Sequence, residues 1–138
     1  MPIRPENKER YPSNWPEISW RIRFERAGNA CEDCGVKNYE LGGRDENGKW
    51  HRACILDCSR RLPAPGTWSW CGGGLNLRIV RIVLTVAHLD HTPENCDDDN
   101  LRALCQRCHN RYDAAHRRAG IRERSLANQN KLALETPA

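Results

Sequence analysis

Two Cys-x-x-Cys pairs constrain the fold of this chain more than any other feature of its sequence. Cys31 and Cys34 form the first pair, and Cys105 and Cys108 form the second, with a long segment between them. Four thiolates in two such pairs are typical ligands of a tetrahedral structural zinc site, and iron is the weaker alternative. We therefore expect one closed four-cysteine site that fastens the two ends of a single domain together.

The other four cysteines have irregular spacing. They are Cys54, Cys58, Cys71 and Cys96. Buried free thiols are the simpler interpretation, and the alternative is a second zinc site completed by His51 or Cys96. A count of the bound metal ions distinguishes the two.

The length of 138 residues allows one domain with a modest core. Charged residues make up 29% of the chain, so we expect the hydrophobic core to be thin and to need help from a metal. The N-terminal sequence MPIRPENKERYP lacks the apolar region of a signal peptide, and no apolar run approaches the roughly 18 residues of a membrane span. We expect a soluble protein of the reducing cytoplasm, where such cysteine pairs bind metal more often than they form disulfides.

Helix and turn signals divide the first half of the chain. Residues 1–15 are polar and contain several prolines, which predicts an extended arm. Residues 16–28 have apolar side chains at helical spacing and end in glycine, which predicts a helix. Asn47-Gly48 predicts a hairpin turn followed by a short strand around residues 50–56, and we expect the rest of segment 36–75 to be an irregular insertion.

The second half of the chain is expected to contain a strand and a helix. Residues 75–89 are mostly β-branched or aliphatic, which predicts a buried strand that is bent or split in two. An acidic loop follows, and residues 101–120 predict a cysteine knuckle running into a helix that ends at Gly120. We expect one domain over residues 16–122 and a flexible tail over 123–138.

Three polar side chains follow one another in this second half. His88 ends the predicted strand, Asn100 lies in the loop, and His109 comes directly after the second cysteine pair. This order, together with the string LRALCQRCHNRYD, resembles the HNH (ββα-metal) nuclease family, in particular its free-standing phage and prophage members. The resemblance covers residues 31–34 and 84–113. It implies a small α+β fold in which a ββα-metal core is joined to an N-terminal helix and a zinc knuckle.

The resemblance also implies roles for these residues. In the family, a histidine at the end of the first strand is the base that activates water, and an asparagine holds the loop. The residue before the base and a residue on the helix bind a divalent cation. The implied base is therefore His88, the loop residue is Asn100, and the helix ligand is His109.

One position departs from the family pattern. The residue before His88 is Ala87, which cannot bind a metal ion. Asp90 is the next carboxylate, and alternation along a strand would place it on the same face as His88 if the strand continued that far. We therefore expect Asp90 to be the second ligand and His91 to be an alternative ligand or base.

The resemblance implies hydrolysis of DNA phosphodiester bonds, as a nick or a double-strand break, with Mg²⁺ or a similar cation. Basic residues far outnumber acidic ones between Leu101 and Lys131, which indicates a surface for nucleic acid. A helix over residues 101–118 is expected to dock against duplex DNA. Its candidate phosphate contacts are Arg102, Arg107, Arg111, Arg117 and Arg118.

Ala87 also motivates an alternative function. A chain that has lost a metal ligand can be a catalytically inactive, zinc-stabilised module that binds DNA or takes part in phage packaging. Symmetric cleavage of both strands would need a homodimer, and packaging proteins are partners by analogy alone. Zinc deaminases are excluded, because their His-x-Glu signature is missing at His88 and at His91.

Overall fold

The computed structural model describes residues 3–54, 62–71 and 73–135 as a small α+β fold. It begins with a 3₁₀ helix, Pro5–Arg10, and with helix α1, Trp15–Trp20, which continues as a π-helix over Arg21–Arg26. The strands are β1 Leu41–Arg44, β2 Trp50–Arg52, β3 Trp68–Cys71, β4 Leu75–Arg78, β5 Val80–Arg81, β6 Thr85–His88 and β7 Leu101–Leu104. A second 3₁₀ helix, Asp98–Asn100, precedes β7, and helix α2, Gln106–Glu135, follows it.

The predicted N-terminal helix is confirmed. Ile22 is completely buried on its inner side, and the rings of Trp20 and Phe24 pack 5.5 Å apart. Gly28 lies just beyond the helix with a φ of +59°, a conformation in which glycine commonly ends a helix. The expectation of an extended arm is wrong for residues 5–10, because Pro5 starts a 3₁₀ helix with the φ angle that its ring imposes.

Three small antiparallel sheets follow, with strand orders β2-β1-β5, β3-β4 and β6-β7. The predicted turn at Asn47-Gly48 joins β1 to β2, and Gly48 has a φ of +80°. Strand β4 packs closely on β1, since a Cβ on Gly43 would lie 2.5 Å from Cβ of Leu77. Glycine at this position therefore allows the two sheets to approach each other.

The short strand expected around residues 50–56 is confirmed over Trp50–Arg52, whereas the expectation of irregular structure in the rest of segment 36–75 is wrong for β1 and β3. Strand β3 alternates between exposed and buried side chains, which is the two-residue period of a strand with one covered face. The buried strand predicted over residues 75–89, expected to be bent or split in two, is split into three strands, β4, β5 and β6, and the side chains of β4 and β5 are mostly exposed.

A β-hairpin followed directly by a helix ends the fold. Strands β6 and β7 pair from Thr85↔Leu104 to His88↔Leu101, and α2 begins two residues after β7. The expected helix end at Gly120 is wrong, because α2 continues to Glu135. One internal glycine costs only ~1 kcal/mol, and the residues after it are mostly strong helix formers.

The core consists of three small clusters, as expected for a chain with few apolar residues. The first surrounds Cys31, Cys105 and Cys108, with Leu84 and Leu104 packed against them. The second joins the N-terminal helix to β7, and the third lies between the first two sheets. Within the described residues, no helix has both the length and the apolar character that a membrane span requires.

Candidate functional site

The four cysteines of the two pairs meet at one point. Cys31 and Cys34 lie in a tight turn, in which Gly35 has a φ of +74° and donates to the Cys31 carbonyl oxygen at 2.8 Å. Cys105 follows β7, and Cys108 lies in the first turn of α2. The four Sγ atoms all lie within 4.8 Å of one another.

The spacing of these sulfur atoms fits a tetrahedral metal ion. Sγ of Cys34 and Sγ of Cys105 are 3.7 Å apart, which is too long for a disulfide bond. Zinc–sulfur bonds of about 2.3 Å in a tetrahedron put the sulfur atoms about 3.8 Å apart. The four residues could therefore hold a metal ion such as zinc.

The surroundings of the cluster favour the thiolate of Cys31, while burial raises the pKa of Cys108 to about 11. A hydrogen bond from the Cys105 thiol lowers the pKa of Cys31 to about 4, while the same contact raises the pKa of Cys105. The guanidinium of Arg44 lies 3.6 Å from Sγ of Cys34 and 3.7 Å from Sγ of Cys105. Its positive charge would offset part of the negative charge of a metal bound by four thiolates.

Of the remaining cysteines, Cys54, Cys71 and Cys96 lie in the described residues and do not join this cluster. Cys71 is buried in the third core cluster, and Cys96 contacts the second. His51 is paired with Asp45 at 2.8 Å. Cys58 lies outside the described residues, so a second zinc site that includes it stays a prediction. Elsewhere in the described ranges, no other His, Cys, Asp or Glu group gathers in the same way.

The hairpin and α2 carry the three polar residues of the expected active site. His88 ends β6, Asn100 directly precedes β7, and His109 lies in the first turn of α2. Nδ1 of His109 is 2.6 Å from the Thr85 hydroxyl on β6. The hairpin and the helix thus bring these segments together, although they do not place the three side chains in one contact.

Asn100 holds the loop between β6 and β7. Its carbonyl oxygen accepts from the Leu89 amide at 2.8 Å, and its side-chain oxygen accepts from the Asp90 amide at 3.1 Å. Its side-chain amide donates to Oδ1 of Asp90 at 2.9 Å and to the Asn95 carbonyl at 2.8 Å. The residue expected to organise this loop is the centre of its hydrogen bonds.

Asp90 lies in this loop and not on a strand, because β6 ends at His88. The alternation argument therefore does not extend to Asp90. Its Oδ2 accepts from Asn95 and its Oδ1 accepts from Asn100 and from the Thr92 amide. The bonds from Asn95 and Asn100 lower the pKa of Asp90 to about 2. Both oxygens already have partners, and a role in metal binding stays a prediction.

We expect Asn100→Ala to destabilise the protein by about 3 kcal/mol, because the side chain makes three hydrogen bonds that contribute ~1 kcal/mol each. One of these bonds is donated to the Asp90 carboxylate, so that part of the difference should be present above pH 4 and decline as the pH falls towards 2. Urea unfolding at several pH values measures it. The control is Asn128→Ala on the exposed part of α2, and an equal effect of both changes would contradict the role of Asn100 in the loop.

A second group of polar side chains lies on one face of α2, as the spacing of His109, Asp113 and His116 predicts. Oδ2 of Asp113 is 3.2 Å from Nε2 of His109, and Oδ1 is 3.5 Å from Nδ1 of His91. The rings of His91 and His116 stack 4.0 Å apart. His91 has a φ of +56°, which turns it out of the loop towards the helix.

Asp113 links two histidines of this group, because each of its carboxylate oxygens faces one imidazole ring. The three residues do not gather as closely as the four cysteines do. Burial lowers the pKa of His109 and so favours the neutral imidazole that metal binding needs. Asp113 is not among the residues expected from the sequence as ligands, although its position four residues after His109 is a signal that could have identified it.

His88 lies under residues of the N-terminal segment. Its ring stacks on Trp15 at 5.0 Å and meets the edge of Tyr11 at 5.6 Å, and the residue is only 8% exposed. A paired hydrogen bond between Arg10 and Glu94 holds this segment to the loop. Burial lowers the pKa of His88 and favours its neutral form.

The candidate phosphate contacts do not form one helical surface. Arg102 lies on β7 and not on a helix, because it pairs with Ala87 of β6, and it forms an ion pair with Asp33 at 3.3 Å. Arg107 donates to the Gly48 carbonyl, and the spacing of Arg107, Arg111 and Arg118 places them on one face of α2. Arg117 and Arg118 donate to carbonyl oxygens of α2 itself.

Comparisons with known proteins assign this chain to no family. No protein-family model, no curated protein and no solved structure matches the chain. The assignment of function therefore depends on the geometry of the described residues and on the chemistry that their side chains allow.

Proposed function

We propose that this protein is a metal-dependent endonuclease of the HNH type that hydrolyses DNA phosphodiester bonds. The observation that carries the proposal is the arrangement of the last three elements. Strand β6 ends in His88, the Asn100 side chain holds the following loop, and α2 presents His109 in its first turn. This is the order of elements and residue types that the family resemblance implies.

In the proposed reaction, His88 is the base. Its neutral imidazole, favoured by burial, takes a proton from water, and the resulting hydroxide attacks phosphorus. The bond from phosphorus to the 3′ oxygen breaks, and that oxygen leaves with a proton from solvent. Tyr11 and Trp15 cover His88, so the proposal requires these two rings to move when DNA binds.

His109 and Asp113, with His91 nearby, are the residues that would hold a divalent cation. Such an ion would supply charge stabilisation for the phosphate and the leaving oxygen. Two imidazoles and one carboxylate suit Mn²⁺ or zinc at least as well as Mg²⁺. In this scheme Asp90 and Asn100 keep the loop in shape, and His91 remains the alternative base.

The four-cysteine site has a different task in the proposal. We propose that it binds zinc and fastens the turn at Cys31 to the start of α2. All four ligands are thiolates from the chain, so the metal has no open position for a substrate. Its contribution is therefore to the stability of the fold and to the position of α2 beside β6.

Two observations favour a second candidate function, a zinc-stabilised DNA-binding or packaging-associated module without catalysis. Ala87 occupies the position of a family metal ligand and is 98% buried against the cysteine cluster, since only 2% of it is exposed. His88 is covered by aromatic rings. Both features fit a chain without catalysis, because an alanine at the ligand position and a covered His88 cost such a chain no stability.

The test is cleavage of supercoiled plasmid by the zinc-loaded protein with Mg²⁺, with Mn²⁺ or with no added cation. We expect nicking that needs an added cation and that falls at least 100-fold in His109→Ala, since metal and base contributions are of that order. His51→Ala is the matched control, because His51 is paired with Asp45 outside the proposed site. The control should nick at the wild-type rate.

Absence of nicking with every cation, together with retained binding of duplex DNA, would reject the nuclease and favour the binding module. Equal loss of nicking in His109→Ala and His51→Ala would also reject the site, because a general effect on folding would then explain both. Binding is measured by fluorescence anisotropy on the same protein samples, so the two outcomes are compared directly.

A further inference from the structure

The β3–β4 hairpin has an exposed aromatic surface that the proposed active site does not use. Trp68 is 69% exposed and Trp70 is 54% exposed, whereas Ser69 and Cys71 are buried. Large indole rings are usually covered in a folded protein, and several on one face mark an interaction site. Within residues 3–54, 62–71 and 73–135, no ring contact involves either tryptophan.

The packing of the hairpin determines which side chains share this surface. Leu77 faces inward against Gly43 of β1. Directly opposed residues of an antiparallel pair lie on the same face, and the register pairs Trp68 with Arg78 and Trp70 with Asn76. These four residues form the outer face of the hairpin, which we call the tryptophan face.

The spacing of the two indoles suits one flat ring. Residues two positions apart on an antiparallel strand are ~6.8 Å apart, given a rise of about 3.4 Å per residue. This is about twice the stacking separation of planar rings, so a single base fits between them. A base that is still paired within a duplex is already stacked on both sides and is not free to enter.

Positive charge adjoins the tryptophan face. A groove of about 300 Å³ is lined by Arg44, Arg78 and Arg107, together with the ring of Trp50. No carboxylate belongs to the described lining of this groove, although Cys105 does. Arg44 faces the Cys105 sulfur at 3.7 Å, so the charge available to a ligand is that of Arg78 and Arg107. Because Arg78 belongs both to the groove and to the tryptophan face, stacking surfaces and guanidinium groups lie side by side. Such a surface complements a ligand in which planar bases alternate with negatively charged phosphates.

We propose that the tryptophan face and this groove bind single-stranded DNA. Unpaired bases stack on Trp68 and Trp70, and phosphates lie against Arg78 and Arg107. The inference deepens the proposed function by naming the form of DNA that is held, and it rests on that function for the choice of DNA. A purely apolar protein partner would leave the guanidinium groups of Arg78 and Arg107 without complementary charge.

The experiment is fluorescence anisotropy of a labelled oligo(dT) 15-mer with the zinc-loaded protein and no added cation. We expect Trp68→Ala and Trp70→Ala each to weaken binding about tenfold, and the Phe variants to weaken it less, because a phenyl ring still stacks. Arg78→Ala should also reduce the dependence of log K on log salt by about 0.7. Trp20→Ala is the matched control, since Trp20 is 51% exposed on α1, and it should bind as the wild type does.

Circular dichroism and zinc content, measured for each variant, should equal the wild-type values because both tryptophans are exposed. The proposal is overturned if the double variant Trp68→Ala, Trp70→Ala binds oligo(dT) within twofold of the wild type. It is also overturned if Trp20→Ala weakens oligo(dT) binding as much as the tryptophan-face variants do. Tighter binding of a duplex or of oligo(U) would also overturn it. Loss of plasmid nicking with retained oligo(dT) binding rejects the nuclease alone, and nicking without oligo(dT) binding rejects this inference alone.

Discussion

Cys105→Ser is expected to unfold the domain under conditions in which the wild-type chain is folded. Cys105 is completely buried and its Sγ belongs to the proposed zinc site. Binding of a structural zinc ion provides about 10–16 kcal/mol at neutral pH, which is comparable to or larger than the ~5–15 kcal/mol stability of a whole domain. The three small core clusters cannot replace it. Circular dichroism and metal analysis of the purified protein measure the loss.

The control for this prediction is Cys96→Ser, since Cys96 lies outside the four-cysteine cluster. We expect this variant to keep its fold and its zinc. Removal of metal from the wild-type chain by a chelator should unfold it, and added zinc should refold it. A wild-type chain that stays folded without metal would contradict a structural role for the site.

Metal analysis of the same samples also decides the state of the other cysteines. One zinc per chain would mean that Cys54, Cys58, Cys71 and Cys96 are free thiols. Two zinc ions per chain would mean that the middle segment contains a second site, and loss of one zinc ion in Cys58→Ser would then assign Cys58 to it.

His88→Ala is expected to reduce the rate of plasmid nicking by 10²- to 10⁴-fold, the usual contribution of a general base. Binding of duplex DNA should change by less than twofold, because the side chain lies under Tyr11 and Trp15 and contacts no proposed phosphate ligand. Initial rates of nicking at saturating protein measure the effect. His51→Ala is again the control, and it should nick at the wild-type rate.

The matching variant His91→Ala separates the two candidate bases. Full activity in His88→Ala together with loss in His91→Ala would move the base to His91, which lies beside Asp113 and His116. Loss in both variants would fit a base at His88 and a cation ligand at His91. Full activity in both would reject the proposed mechanism.

Much of the local structure could be predicted from the sequence. The helix that ends before Gly28, the turn at Asn47-Gly48 and the shared face of His109, Asp113 and His116 all follow from neighbours a few positions apart. The end of α2 could not be predicted in this way, because one glycine signal at position 120 competes with the helix propensity of the residues after it. The strand at Trp68–Cys71 could not be predicted either, because the prolines and glycines around it are turn signals.

The sequence by itself determined that four cysteines in two pairs could close one metal site, because the spacing within each pair is a local property. Only the tertiary structure decided which side chains surround the candidate active-site residues. Asp90 is engaged by Asn95 and Asn100, and His88 is covered by Trp15 from the far end of the chain. Contacts between distant segments depend on how strands and helices pack, and a local pattern of residues does not contain that information.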